Sequence, residues 1–227
     1  FDRAAWLNDA ACVISFISNG QDAWAERIRQ IAPSARIAFV QHKPPKDWSG
    51  HVGDWHLKQM RDQGVSLVTM MPTARSNPDG PVVVHPGAGS PRKCWPLDRF
   101  ELLIERLRSA GHEVIPLLGE VEQETWPTEV SQRWRTIWNA TIPQTLIDLA
   151  KIIASATTYV GNDAGPTHLA AQLGVRTVAL FGPTDAHIWS PRGPKVQTIT
   201  SHTLQPMSWL SVDDVHGHLR SLKAMRA

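Results

Sequence analysis

Two short segments bring together residue types that could hold an anion and a sugar. In the first, Asn162-Asp163-Ala164-Gly165 follows a β-branched and aromatic run at 157–161 and precedes Pro166. Proline suits the first helical position, where its missing N–H is not needed. Asp163 therefore stands where a strand ends and a helix begins. The unbonded N–H groups of a helix start favour an anion such as phosphate. Asp163 cannot itself bind phosphate. Its carboxylate can accept hydrogen bonds from sugar hydroxyls or from a neighbouring loop, or it can cap the helix. His168 lies in the first helical turn, either packed or capping, or reaching towards phosphate or the neighbouring loop.

In the second segment, the apolar run at 82–84 leads into HPGAGSPRKCWP, a glycine turn carrying Ser90, Arg92 and Lys93. Lys93 has two readings, a solvated loop lysine or an ammonium placed against a diphosphate. Ser90 either contacts phosphate through its hydroxyl and N–H or only shapes the turn. The segment is not a P-loop, because the lysine does not follow the second glycine in the required pattern. It is not the dinucleotide fingerprint, because Arg92 stands where a third glycine belongs. Ser90 also lacks the flanking glycines of a nucleophile elbow.

The elements that must position these turns alternate along the chain. A helix starting near Pro96 carries Phe100, Leu103, Ile104 and Leu107 on one stripe and ends at Gly111. A strand at 113–118 follows, then the turn Gly119-Glu120-Val121-Glu122 and a charged helical region to about Trp138. Pro143 opens a helix to about Ala154 with Leu146, Leu149, Ile152 and Ile153 facing inward. The apolar run at 177–181 reads as another buried strand, and Gly174 suits the left-handed position ending the helix before it. Ser211 and Asp214 make a capping-box start for a final helix with Val212, Val215, Leu219 and Leu222 on one face. Alternating strands and helices imply a parallel sheet covered on both faces, with ligands at the carboxyl ends of its strands. Upstream, a strand at 11–18, a helix at 22–31 and a strand at 35–40 make only about half of such a domain.

The two segments, with LLGEVEQE (117–124) and GNDAGPTHLAAQLGVRTVALFGPTDAHIWSPRG (161–193), resemble family nine glycosyltransferases, best known as ADP-heptose:lipopolysaccharide heptosyltransferases. HVGDWHLKQMRDQG (51–64) is similar to the family's segment linking two lobes. The resemblance implies an α/β, GT-B-like fold: a Rossmann-like parallel-sheet C-terminal lobe holding the nucleotide sugar, and an N-terminal Rossmann-like lobe, incomplete here, on the acceptor side. The expected division is 1–72 for that partial lobe, 73–80 for a linker, 81–200 for the donor lobe, and 201–227 for a C-terminal helical segment crossing back to the first lobe.

The resemblance also implies roles. Lys93 and Ser90 would meet the diphosphate, and Asp163 the donor sugar. Ala164 and Gly165 would give backbone N–H groups to the phosphates, though many relatives have serine or threonine where Ala164 stands. Glu122 would bind ribose hydroxyls, or be one more solvated charge beside Glu120 and Glu124. Gln144 and Thr145 would lie near the base, or form a plain helix start. Gly182, Pro183 and Thr184 would wall the site. The family's early catalytic aspartate is not among these residues, so the expected base lies upstream of this sequence.

Composition agrees without discriminating. A net charge of +2 and the absence of a basic run give no sign of nucleic-acid binding. Two cysteines make no disulfide framework and fit a cytoplasmic compartment. No apolar run is long enough to span a bilayer. The ten histidines include no HExxH and no zinc spacing, and no DxD pattern lies near the turns, so neither cofactor nor metal is expected. The function expected is an inverting transferase. It would move a heptose or related sugar from a nucleotide-diphospho-sugar to a lipid-linked lipopolysaccharide core or other surface glycan, at the inner face of the membrane. Two alternatives stand beside it: a catalytically silent nucleotide-sugar-binding module and a nucleotide-sugar epimerase.

Overall fold

The computed structural model describes residue 7, residues 9–75 and residues 77–220. The chain divides into two compact units, Phe1–Met70 and Met71–Ala227.

The first unit contains β1 (Cys12–Ser15), α1 (Ala23–Ile31), β2 (Arg36–Phe39) and α2 (Val52–Asp62). The strands pair in parallel, with Cys12 opposite Arg36 and Ser15 opposite Phe39. Successive strand side chains point to opposite faces, and both faces are covered. Val13 and Ile37 pack with Ile28 and Ala32 of the α1 side, whereas Ile14 and Ala38 pack with Leu57 and Met60 of α2. Asp22 caps α1 by accepting from the Ala25 N–H at 2.9 Å. The segment expected to link two lobes, 51–64, is thus largely helix α2 packed on β2.

The second unit holds β3 (Val82–His85), α3 (Leu97–Ser109), β4 (Val114–Pro116), α4 (Glu120–Thr125), α5 (Thr128–Thr136) and α6 (Leu146–Ala154). There follow β5 (Thr158–Asn162), α7 (Gly165–Gln172), β6 (Arg176–Leu180), α8 (Ala186–Trp189), β7 (Val196–Ile199) and α9 (Val212–Arg220). Its five strands form one sheet in the order β4-β3-β5-β6-β7, and every pairing is parallel. One face carries Val82, Val84, Val160, Val178 and Leu180 against Phe100, Leu103, Ile104 and Leu107 of α3 and Val215 and Leu219 of α9. The opposite face carries Val83 and Tyr159 against Ile153 of α6 and Ala170 of α7. The run at 82–85 is therefore buried at every residue, as a central strand of a doubly covered sheet must be.

Several sequence expectations change. The charged region before Trp138 is two helices broken at Trp126-Pro127, because proline cannot continue a helix. Helix α6 begins at Leu146 rather than at Pro143, and the Leu146 side chain is 80% exposed, not turned inward. Residue 146 is the first helical residue, so it projects from the open end of the helix. Strand β7 had no expectation attached to it; only its last residue, Ile199, is buried, as suits a sheet edge.

The segment expected as a linker is fastened to the second unit. The Arg75 N–H donates to Gly174 O at 2.8 Å, and Asn77 Nδ2 donates to Ser155 O at 2.5 Å. Gly174 combines a positive φ of +73° with Thr73 O only 2.0 Å from where a Cβ would stand, so no other residue fits there. Ser211 and Asp214 make the expected capping box of α9: Ser211 Oγ accepts from the Asp214 N–H at 3.1 Å. That helix packs on α3. Leu222 lies outside the described residues.

Candidate functional site

In the strand order β4-β3-β5, the chain leaves β4 at one edge and crosses β3 to enter β5. That reversal places a crevice at the carboxyl ends of β3 and β5, where ligands bind in open α/β sheets. The register pairs His85 with Gly161 and Asn162 with Leu180. The turns after β3, β5 and β6 therefore leave the sheet side by side, and both sequence-selected segments meet there.

Asn162 ties them together. Its Oδ1 accepts from the Trp95 N–H at 3.0 Å, and its Nδ2 donates to Pro86 O at 2.7 Å. The side chain is fully buried, so it acts as a clamp that fixes the glycine turn from both ends. Trp95 is locked further: its indole donates to Leu210 O at 2.9 Å, and its ring stands edge-on to Phe100 with centroids 4.8 Å apart. It belongs to the core beneath the loop.

Asp163 does not cap α7. Ala164 occupies the N-cap position, with no side-chain cap bond. The Asp163 carboxylate instead gathers three groups from three elements. Lys93 Nζ donates to its Oδ2 at 2.7 Å, Thr184 Oγ1 donates to the same oxygen at 2.9 Å, and His168 Nε2 lies 3.7 Å from Oδ1. Burial pushes the Asp163 carboxyl up. The nearby His168, the bond from Lys93 with its charge, and the bond from Thr184 outweigh burial and hold it below the usual aspartate value. The carboxylate is therefore ionised at neutral pH. Lys93 is one-third exposed, so the pair sits at the floor of an open site rather than in the core.

Behind the glycine turn lies a second acidic group. Of the three neighbouring glutamates, Glu122 is buried while Glu120 and Glu124 are exposed. Glu122 Oε2 accepts from the Gly119 N–H at 2.7 Å and lies 3.4 Å from His85 Nε2. Burial raises its pKa, but the His85 contact and the backbone bonds outweigh this and lower it. Its carboxylate occupies the space beneath Gly87, where a Cβ would stand 1.7 Å from Oε1. Glu122 thus supports the turn from below.

The remaining selected residues are placed as follows. Ser90 precedes a 3-10 turn at Pro91–Lys93, accepts from the Lys93 N–H at 3.0 Å, and makes no side-chain cap bond. Ala164 and Gly165 stand at the start of α7, whose first N–H groups have no intrahelical acceptor. Thr145 caps α6, accepting from the Asp148 N–H at 3.1 Å, and the exposed Gln144 donates to Ile142 O at 3.3 Å. Asn162 was not selected from sequence; the one signal there is an amide residue at the strand end, immediately before Asp163. Among the described residues no group of three or more His, Cys, Asp or Glu side chains is placed to share a metal ion, and no helix is long and apolar enough to cross a membrane.

This sheet, with an anion-favouring helix start beside a cation–carboxylate pair, defines an α/β protein of the GT-B-like class. Residues 45–219 match glycosyltransferase family 9 (heptosyltransferase), and the chain belongs to that family. It is 30% identical over 113 residues to lipopolysaccharide heptosyltransferase 3 of Escherichia coli, an alignment covering 48% of this chain and 33% of that protein. The match thus spans about a third of that relative's length. Among solved structures, E. coli ADP-heptose lps heptosyltransferase II superposes with a TM-score of 0.70 at 18% identity, covering 98% of this chain and 80% of that one. E. coli heptosyltransferase WaaC with ADP superposes with a TM-score of 0.68 at 16% identity, covering 93% and 73%.

Proposed function

We propose that the second unit binds a nucleotide-diphospho-sugar, with ADP-heptose the favoured donor, for transfer to a lipopolysaccharide-core or other surface-glycan acceptor at the inner face of the membrane. The observation that carries this reading is the Lys93–Asp163–Thr184 cluster beside the start of α7. In it, the diphosphate is received by the Lys93 ammonium and by the N–H groups of Ala164 and Gly165. Asp163 accepts hydrogen bonds from donor-sugar hydroxyls. It is not the base that takes the acceptor's proton, because Lys93 and Thr184 occupy its Oδ2 and its lowered pKa makes it a weak proton acceptor. Ser90 adds a hydroxyl to the phosphates.

The acceptor hydroxyl attacks the anomeric carbon opposite the leaving diphosphate, which inverts that centre while a general base takes the proton. Charge building on the leaving group is met by Lys93 and the helix-start N–H groups without a metal ion. The ADP in the related WaaC structure supports adenine as the base, and the family match favours transferase over epimerase.

The test is calorimetric titration with ADP, GDP and UDP, with and without EDTA. The reading expects ADP to bind most tightly and EDTA to change nothing. Binding by none of the three, or binding abolished by EDTA, would sink it.

A further inference from the structure

His85 is the last residue of β3, lies opposite Gly161 of β5, and is buried. The proposed chemistry gives it no task. Its Nε2 lies 3.4 Å from Glu122 Oε2, and its Nδ1 is buried with no hydrogen-bond partner among the described residues. Burying a ring with one nitrogen unpaired costs free energy that an apolar side chain would not. The pair also fixes the tautomer. Glu122, with its lowered pKa, is ionised at neutral pH, and an ionised carboxylate only accepts hydrogen bonds. A neutral imidazole carries one N–H and one lone pair. The hydrogen therefore belongs on Nε2, facing Glu122, and the lone pair on Nδ1.

The residues that follow His85 show what this contact controls. Pro86 O accepts from Asn162 Nδ2 at 2.7 Å, which pins the start of the glycine turn. Gly87 then rests on Glu122, whose Oε1 is 1.7 Å from where a Cβ would stand. The place of Gly87 thus depends on where that carboxylate is held. The Gly119 N–H donates to its Oε2 at 2.7 Å. A single bond to one oxygen leaves the carboxylate able to pivot about it, and His85 supplies a second tie from another element. Two other titratable groups feel the Glu122 charge, Cys94 from the 3-10 turn and Tyr159 from β5. Both have raised pKa values, through burial first and also through that charge. Neither donates to Glu122: Cys94 Sγ donates to Ser90 O at 3.5 Å, and the Tyr159 hydroxyl faces Thr167 Oγ1 at 3.5 Å.

We propose that His85 is a positioning residue for the nucleotide donor: its Nε2–H holds the Glu122 carboxylate under Gly87, and so fixes the turn that carries Ser90 and Lys93. The inference rests on the donor assignment above. Asp163 holds the Lys93 ammonium from one side, at 2.7 Å. The His85–Glu122 pair holds the backbone from which Lys93 extends. His85 acts through Glu122 and not on the ligand, so its effect must vanish when Glu122 is absent. It also requires a donor at the Nε2 position in particular. Glutamine reaches that position with an amide N–H, whereas asparagine places its amide nearer Nδ1.

The experiment titrates the whole chain with ADP, comparing the parent with His85→Leu, His85→Gln, His85→Asn, Glu122→Ala and the Glu122→Ala/His85→Leu double variant, each checked for folding by circular dichroism. His85→Leu and His85→Asn should each weaken ADP binding about tenfold, and His85→Gln should stay within about threefold of the parent. The double variant should bind ADP no more weakly than Glu122→Ala alone. Nitrogen-15 spectra of the parent's histidine rings at about pH 8, where an ordinary imidazole is neutral, should show the His85 hydrogen on Nε2. Unchanged ADP affinity in folded His85→Leu overturns the proposal. So does rescue by asparagine but not glutamine, a ring hydrogen found on Nδ1, or a further loss in the double variant equal to that of His85→Leu in the parent. If His85→Leu does not fold, the glutamine–asparagine comparison and the ring spectra decide. Failure of the parent to bind ADP at all is instead a failure of the donor assignment, and the ring spectra still report the His85–Glu122 contact.

Discussion

The Lys93 ammonium and the Asp163 carboxylate, 70 residues apart in the chain, meet at 2.7 Å across the crevice between β3 and β5. The pair joins the two turns that hold the candidate donor site. It also fixes what each group can do before a ligand arrives. Lys93 is held beside the start of α7, and Asp163 is kept ionised although only 7% exposed. In the proposed function, a diphosphate would meet an ammonium already in place, which lowers the ordering cost of binding.

Removal of that ammonium is the first prediction. Lys93→Ala should weaken ADP binding by about 1.5–3 kcal/mol, the range for hydrogen bonds to charged groups. The fold should survive, because Lys93 contributes nothing to the apolar core. The Asp163 charge is left with Thr184 and His168, so some thermal stability is lost as well. Lys93→Met combined with Asp163→Asn removes both charges, and should recover part of that stability without recovering affinity. Calorimetry and thermal melts on the single and double variants separate the two effects. An unchanged ADP affinity in folded Lys93→Ala would mean that the lysine serves the loop alone.

Asp163 should discriminate between ligands. In the proposed function its carboxylate accepts from hydroxyls of the transferred sugar, which the bare nucleoside diphosphate lacks. Asp163→Asn should therefore lose more affinity for ADP-heptose than for ADP. The difference should be about 1–3 kcal/mol, one or two charge-assisted bonds. Parallel titrations of both ligands decide it, and equal losses would place Asp163 with the phosphates or with the fold.

The same carboxylate makes stability depend on pH in a definite direction. The Asp163 pKa is lowered from its ordinary 3.8, and that of Glu122 from its ordinary 4.5. A group whose pKa falls on folding binds its proton more readily in the unfolded chain. Its contribution is complete above the unfolded value and is lost as pH falls through the folded one. Asp163→Asn should then melt below the parent at pH 7. The gap should close as the pH drops below 3.8, where the parent's own carboxylate begins to protonate. Melting curves taken across that window test the sign. A gap that stays constant into acid would show that the carboxylate's charge adds nothing to the fold.

The sequence made the place of these turns, between strand ends and helix starts, legible, and also the class of sheet that presents them. Both depend on local signals: buried β-branched runs, glycine and proline at element ends, and the stripe of α3. It did not reveal that Lys93 bonds Asp163, because neither turn says how far the strands between them shift the other. Nor did it reveal Asn162 as the clamp, since a buried amide and a solvated one look alike in a single sequence. Glu122 was picked out from its neighbours, but its surroundings were not: its side chain lies under Gly87 and beside His85, both on the neighbouring strand and its turn. Leu146 was misread because apolar spacing continues past the point where the helix has a neighbour to pack on.

That support beneath Gly87 yields the last prediction. A Cβ at position 87 would lie 1.7 Å from Glu122 Oε1 and 2.1 Å from its Cδ. Glu122 cannot simply swing aside, because it is 2% exposed and its other oxygen is bonded to the Gly119 N–H at 2.7 Å. Gly87→Ala must therefore move either the carboxylate or the glycine turn, at about 1–3 kcal/mol, the usual cost of overpacking. Because that turn leads to Ser90 and Lys93, ADP binding should weaken as well. Glu122→Ala alone leaves the Gly119 N–H without its acceptor, which costs about 1–3 kcal/mol if water does not replace it. In the double variant, the new methyl fills space that the carboxylate has vacated. Its loss of stability should be smaller than the sum of the two single losses by more than about 0.5 kcal/mol, the scatter expected for independent sites. Simple additivity in denaturant unfolding, or a Gly87→Ala protein as stable as the parent, would show that Glu122 does not hold the turn.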